Sequence, residues 1–437
     1  MKKLAFLITK FFEKEATTGG LCRSVQQDGF TFDFTGHLLH ASDPYFFSLL
    51  QSIVGLDTLN TISRRSFIYS SDTYTRYPYQ INLHGLPTAT IAECIEGFVL
   101  RKKTRTTAKT FPEWVLQNFG TGFAKHFFYP YQSKIFAYDI KKVTASWTGR
   151  FVPSTSLEQI IEGALSDNDM QSVGYNANFF YPKKGGIVAW VNQLAQQVTN
   201  PISTGFCVQS IDQQQKIVIF TNGHIEPYDS LISTMPLDVM LRMTKEKSST
   251  HLTNAADKLL CNSVINFNLG VNNPDLSDKH WIYYPENQYP FYRIGFPHNF
   301  TPYATPEGCS SLYGEFAHVK KSERWVQTTL KDSIAQTKKL FTISEPDVLT
   351  QKIINIPHAY VIYDNWREQN LPKLLNSLEK QNIHSIGRYG QWKYSSMQEA
   401  VLDGKKIAQS LTVMPATQVH FIVPPHQIPQ NQKELSS

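Results

Sequence analysis

Phe11-Phe12-Glu13-Lys14-Glu15-Ala16-Thr17-Thr18-Gly19-Gly20-Leu21-Cys22-Arg23-Ser24 is the stretch on which the fold turns. Phe11-Phe12-Glu13 reads as a short buried strand that ends in an acid. Gly19-Gly20 let the backbone come close to a ligand, and Arg23 can face a phosphate. A dinucleotide-binding βαβ unit needs an acid at a strand end to hold ribose hydroxyls. It also needs a glycine-rich turn at a helix N-terminus for the pyrophosphate. Glu13 supplies the acid. The turn is missing, because no GxGxxG lies between Met1 and Glu13 and 12 residues cannot hold a strand, a turn and a helix. Taken alone, the stretch reads more readily as a strand followed by a glycine turn.

Outward from it, bulk properties narrow the class. A length of 437 residues suggests two or three structural units, and 41 % hydrophobic residues supply their cores. The formal charge of +6 is mild and suits an anionic small-molecule substrate. Arg101-Lys102-Lys103 with Arg105 is a short solvated run, so nucleic acid is not expected. The five cysteines are scattered without a CxxC pair, which points to a reduced, cytoplasmic setting and no zinc site. Met1-Lys2-Lys3-Leu4-Ala5-Phe6-Leu7-Ile8 imitates a signal peptide, but the apolar run stops at Thr9-Lys10 without a cleavage site, so secretion is rejected. No apolar run is long enough for a membrane span.

Along the chain, Gly29 to Phe34 alternates as a strand, and Asp43 to Leu50 suits a capped helix. Thr88 to Lys103 and Phe111 to Phe127 look helical, the second ending near Pro130. A helix is expected over Ile187 to Gln197, and Phe206 to Ile211 pairs with Lys216 to Phe220. Asn222-Gly223 marks a hairpin, and Tyr228 to Thr234 a strand. A β-rich block spans Ser263 to Phe316. Ser322 to Leu340 and Met397 to Ser410 read as helices, and the Pro- and Gln-rich tail after Met414 as partly disordered. His251, His280 and His298 read as surface or loop histidines. The sum is an α/β chain with an antiparallel sheet and a helical insertion.

Several motifs then fall in one order and resemble a known family. Residues 12–24 look like the second-strand motif of the UDP-galactopyranose mutases and their amine-oxidase and protoporphyrinogen-oxidase-like cousins. Asp33-Phe34-Thr35-Gly36-His37 resembles their next motif, with Thr35 in place of its first glycine. Pro78-Tyr79-Gln80-Ile81-Asn82, Phe111-Pro112-Glu113-Trp114, Phe119-Gly120-Thr121-Gly122, Pro130-Tyr131-Gln132-Ser133-Lys134 and Ala145-Ser146-Trp147 follow. Tyr175 to Pro182, Trp281 to Glu286, Pro290 to Arg293 and Gly387 to Tyr394 complete the series.

The resemblance implies a Rossmann-type FAD-binding domain lacking its first strand and turn, an antiparallel substrate sheet and a helical insertion. The implied boundaries are 1–75, 181–260 and 376–415 for the FAD-binding parts, 76–180 for the helical insertion, 261–375 for the sheet and 416–437 for a tail. It implies FAD held by Glu13, Gly19, Gly20, Arg23, Gly36, His37, Val208, Gly387, Arg388 and the helix start at Met397. A nucleotide-sugar would meet Gln80, Arg150, Asn176, Tyr283, Arg293, Tyr360 and Tyr394, with His37, Arg293 and Tyr394 closest to the chemistry. The implied reaction is a pyranose–furanose ring contraction through an adduct on N5 of the reduced flavin.

Three departures keep alternatives open. The family's second diphosphate arginine sits in Trp-x-Gly-x-Arg-Val, but Trp147-Thr148-Gly149-Arg150-Phe151-Val152 places Arg150 one position early, which in extended backbone reverses its face. Phe136 stands where a tryptophan lines the uridine. Ser395-Ser396-Met397-Gln398-Glu399 looks more like the oxidase-type cousins, so an amine-oxidase or protoporphyrinogen-oxidase-type oxidoreductase is the second expectation. A copy unable to hold FAD is the third, with a start called too far downstream as the simpler account of the missing turn.

Overall fold

The strands Ser263–Val271 and Ser310–His318 pair antiparallel over their whole length and set the frame of the molecule. The computed structural model describes residues 9–102, 106–167, 177–245 and 249–411. Around the central pair a seven-stranded sheet runs in the order Val348–Ile356, Ser263–Val271, Ser310–His318, Arg293–Gly295, Trp281–Tyr283, Ser66–Ser70, Thr73–Arg76. Its neighbours are antiparallel except Trp281–Tyr283 beside Ser66–Ser70. Side chains alternate between its faces. Ile265, Phe267, Leu269, Ile282, Ile294 and Phe316 point to one face, where Val326 and Leu330 of the helix Glu323–Leu340 cover them. The other face carries Asn266, Arg293, Tyr313 and Glu315, and it forms one wall of the candidate site.

The part expected from sequence to bind a dinucleotide is built from much shorter pieces. Phe11–Glu13 pairs parallel with Ile202–Thr204, and Leu231–Ser233 pairs parallel with Ile383–Ser385. A four-stranded sheet runs in the order Ile225–Pro227, Ile217–Phe220, Val208–Asp212 and Thr244–Lys245. The hairpin expected at Asn222-Gly223 joins two of its strands. Leu59–Ser63 pairs with Asn178–Pro182. The segment Ser66–Arg76 joins the large sheet rather than the small strands around it.

The helical insertion departs from its expected form. Phe111–Asn118 stops at Phe119, and helical backbone resumes at Gly120 and continues through Tyr129–Phe136. Pro130 lies inside this continuous helical stretch, just after a π-helical turn over Ala124–Phe128. Phe111, Phe119, Phe123, Phe127 and Phe128 pack as a buried aromatic core. The strand expected over Tyr228 to Thr234 covers only Leu231–Ser233. Trp147 ends in a short helix, Thr148–Phe151, so the extended-backbone argument about Arg150 does not apply, and its side chain lies outside the described part. Asn176, the tail and Met1 to Ile8 lie outside the described residues. Among the described residues no helix is long and apolar enough to cross a membrane.

Candidate active site

Strand register assembles the centre of the site. Tyr283 lies opposite Arg293, Arg293 opposite Glu315, and Glu315 opposite Asn266, so one row crosses four strands on one face. Cross-strand partners on a shared face lie close enough to bond. Arg293 accordingly donates Nε and Nη2 to Glu315, at 3.1 and 2.8 Å, and Glu315 is fully buried. Burial works against the charge on Arg293, and Glu315 together with Tyr313, Tyr360 and Tyr292 outweighs it, so the guanidinium stays charged. The carboxylate occupies Nε and Nη2 and leaves Nη1 for another acceptor.

Tyr313 stands two residues from Glu315 on the same face. Its ring lies across Gly295 of the neighbouring strand, where an added Cβ would sit 2.2 Å from the ring. Its hydroxyl reaches Gly36, where a Cβ would meet it at 2.1 Å. Gly36 is therefore needed for contact with Tyr313 as well as for any ligand. Next to it, His37 has a buried Nδ1 without a partner. Burial, then Arg388 and Arg293, push this imidazole down to about 4, so it is neutral at ordinary pH. Thr35 takes φ 78°, a left-handed conformation that strains a β-branched residue. That strain explains why a glycine suits this position.

Arg388 closes the opposite side. Its Nη1 donates to the Ser395 carbonyl at 2.8 Å, and the rings of Tyr360, Tyr389 and Tyr394 lie 5.7 to 5.9 Å from its guanidinium carbon. Tyr360 is near enough to both Arg388 and Arg293 to act on each electrostatically. Tyr394 stacks on Phe136 and meets Trp147, Phe151 and Tyr363 edge-on or tilted, with its hydroxyl buried and unpartnered. Tyr283 packs on Tyr77 and Tyr131, at 5.4 and 5.2 Å. Asn262 holds this wall: it bonds the Tyr360 backbone and donates to the carbonyls of Ile135 and Phe136.

The dinucleotide end is more open. Glu13 is half-buried and accepts from the Glu15 amide at 2.9 Å. Gly20 and Gly387 have positive φ and open space where a side chain would stand. Arg23 donates to the Gly20 carbonyl at 2.7 Å and lies over Phe34, so it stiffens this loop from within. Val208 begins its strand, and Met397 begins the helix Met397–Leu411. Gln398, next in that helix, accepts from the amides of Ser42 and Asp43, and so ties the helix to the loop after His37. The orphaned His37 Nδ1 and the open backbone at Gly20 and Gly387 fit a bound dinucleotide better than a packed core.

Of the substrate-side residues expected from sequence, Arg293, Tyr283, Tyr360 and Tyr394 come together. Gln80 is almost fully buried and donates to the Pro153 carbonyl, so its amide nitrogen is engaged within the insertion. His280, expected at the surface, is buried and bonds the Arg65 backbone. Sequence reading missed Glu315, Tyr313, Asn262 and Gln398. For Glu315 a signal existed: an acid inside the run Leu312 to Ala317 is a buried charge that demands a partner. Asp33 was read only as part of a motif. It accepts from Ser24, Tyr181 and the Ile187 amide, and so clamps the strand Phe30–Asp33 to the helix Val188–Gln196.

Comparison with known proteins bears on this arrangement. The flavin containing amine oxidoreductase family matches residues 9–412. A crystal structure of reduced UDP-galactopyranose mutase is 29 % identical, covering 88 % of this chain and 85 % of that one, at a TM-score of 0.81. A putative protoporphyrinogen oxidase from Exiguobacterium sp. 255-15 is 13 % identical over 92 % of both chains, at a TM-score of 0.70, a likeness of fold alone. A fatty acid isomerase from P. acnes that produces CLA shares the fold at 10 % identity and a TM-score of 0.61.

Proposed function

This chain belongs to the flavin containing amine oxidoreductase family, and within it we propose that it binds FAD and isomerises a nucleotide-sugar as a mutase does. One observation carries this reading: a partly buried arginine, held by the buried Glu315, keeps Nη1 open beside the tyrosines. Among the family's chemistries, that donor suits a diphosphate.

Glu13 holds the adenosine ribose of FAD in this reading. The backbone at Gly19, Gly20 and Val208 meets its pyrophosphate and adenine ends, and Gly36, His37, Gly387, Arg388 and the helix start at Met397 line its ring. Bound and reduced, FAD supplies the electron pair for substitution at the anomeric carbon, and the overall reaction is redox-neutral. Arg293 Nη1 takes the diphosphate as charge builds on the leaving group. The hydroxyls of Tyr283, Tyr360 and Tyr394 donate to the same phosphates or to the sugar. Their rings, with Phe136 and Trp147, keep water away. His37 is neutral and adds no charge at the ring; its Nδ1 is available for one hydrogen bond.

Burial first, and then the guanidiniums of Arg388 and Arg293, depress His37. Two guanidiniums near this histidine favour an anionic ligand over a cationic amine, which weighs against the oxidase alternative.

The test begins with colour: purified protein mixed with FAD and desalted should absorb between about 350 and 500 nm, as bound flavins do. Dithionite-reduced holoprotein given UDP-galactopyranose should then form the furanose isomer, and UDP should raise the melting temperature. A yellow protein that forms no furanose and shows no shift with UDP loses the mutase reading. Oxygen-dependent turnover of an amine or a porphyrinogen would replace it with the oxidase reading.

A further inference from the structure

Tyr394 stands in the short stretch between the helices Gly387–Gly390 and Met397–Leu411. Two residues before it, Trp392 takes φ 49°, a left-handed conformation that costs a bulky residue and persists only where its surroundings hold it. Trp392 is fully buried, and its indole donates to the Leu260 carbonyl at 3.2 Å. That bond fixes the ring. The backbone that follows, and with it the direction of Tyr394, needs a separate hold.

Arg367 supplies it. This residue lies in the first turn of the helix Asn365–Glu379, whose start is capped by Asp364 accepting from the Arg367 amide at 2.8 Å. Its Nε donates to the Trp392 carbonyl at 2.8 Å. The guanidinium carbon lies 3.7 Å from the centre of the Tyr363 ring, and the Tyr363 hydroxyl accepts from the Tyr394 amide at 2.8 Å. The same guanidinium donates Nη1 to Glu368 at 3.0 Å. Glu368 in turn accepts from the hydroxyls of Ser146 and Thr144, at 2.7 and 3.3 Å, and the Thr144 amide donates to the Tyr363 carbonyl at 2.7 Å. Ser146 precedes Trp147, whose ring meets Tyr394 edge-on at 5.6 Å.

Packing alone does not call for a charge here. Leu371, Leu374 and Leu378 bury the same helix with apolar side chains, whereas Arg367 is a cation only 9 % exposed. Burying a charge costs stability unless it is paired and bonded. Arg367 is both, and these partners are the Tyr394 segment, the ring that bonds Tyr394 and the acid that holds the Trp147 loop. A planar guanidinium can bond along two edges and stack its face at once, which lysine cannot. The mutase reading gives Tyr394 a task and gives Arg367 none.

We propose that Arg367 is a positioning residue for Tyr394. It fixes the backbone before Tyr394 through the Trp392 carbonyl, fixes the Tyr394 amide through Tyr363, and ties the Trp147 loop to the same wall through Glu368. The role rests on the mutase reading only for what Tyr394 then meets, the nucleotide-sugar.

UDP, titrated calorimetrically into the FAD-loaded full chain, is the first probe. Arg367→Lys keeps the charge but loses the fork and the stack. Tyr363→Phe removes one hydroxyl from the path, and decides the matter should Arg367→Lys fail to fold. Each should weaken UDP about tenfold, the order of one displaced hydrogen bond. In a Tyr394→Ala background, with no ring to place, the same two changes should weaken UDP by about twofold or less, because residues that act through one another are not additive. A merely structural role would give the same factor in both backgrounds. The second probe needs no ligand: amide hydrogen exchange should quicken over residues 392–395 in both variants, and over 144–147 in Arg367→Lys, while Ser263–Val271 stays as in the parent. The proposal is overturned by UDP affinity unchanged in both variants, by equal losses with and without Tyr394, or by exchange over 392–395 that does not change. If UDP fails to bind the parent chain, the mutase reading falls and the exchange alone decides whether Arg367 positions Tyr394.

Discussion

The strands Ser263–Val271 and Ser310–His318 are nine residues long and buried at all but one position each. The strands Phe11–Glu13, Ile202–Thr204, Leu231–Ser233 and Ile383–Ser385 are three residues long, and the first three each keep an exposed position. Under the proposed function both regions recognise anions, and they would reach that end differently. The large sheet holds Arg293 by a buried carboxylate across a long ladder, so its geometry exists before any ligand arrives. The loops beside the short pairs present Gly20 and Gly387 with open space around them, which a ligand would fill under the proposed function. The difference teaches where stability and function separate. In the sheet they share the same bonds, and in the short pairs they do not.

The hardest blow to this contrast falls on Glu315. Glu315→Ala leaves a partly buried guanidinium unpaired and should cost about 3–5 kcal/mol in urea unfolding. A loss below about 1 kcal/mol, the size of a surface change, would mean that the ladder does not depend on the pair. Hydrogen exchange tests the other side. Amides of the short pairs should open at about 2–3 kcal/mol less than those of Ser263–Val271. FAD at a hundred times its Kd should stabilise the chain by about 2.7 kcal/mol, with the added protection concentrated in the short pairs.

At the seam between the regions, Gly36→Ala should cost about 1–3 kcal/mol through overpacking against Tyr313. Adding Tyr313→Phe should return most of that loss, because the hydroxyl is the atom a Cβ meets first. His37 sets a pH window. Its folded value of about 4 lies below its ordinary 6.5, so between these pH values the unfolded chain takes up a proton that the folded chain refuses. Stability therefore falls as pH drops through this window and is unaffected above it. His37→Asn should flatten that fall by about 1–2 kcal/mol, whereas the similar contribution of His280 stays in both proteins and cancels. The smallest effect is a gain: Thr35→Gly relieves a left-handed β-branched residue and should stabilise by about 0.5–1 kcal/mol, net of glycine's entropy.

Much of the part with the short strands was legible because its signals are local. Phe11–Glu13, the capped start at Asp43 and the Asn222-Gly223 turn each depend on a few adjacent residues. Arg293 and the tyrosines were legible only through the order of motifs. Glu315 escaped because its partner lies 22 residues away and is chosen by register, which no short window contains. The break after Asn118 and the helix running past Pro130 escaped because aromatic packing overrode the local stop signal.

By itself, then, the sequence determined the family, the succession of strands and glycine turns, and the residue types able to grip a phosphate. Only the tertiary structure decided which face Arg293 presents, that Tyr313 claims the space beside Gly36, that His37 is neutral, and that Arg367 bonds the segment carrying Tyr394. Side-chain chemistry is a property of the residue. Charge state and orientation belong to burial and register, and those arise only when distant strands are brought side by side.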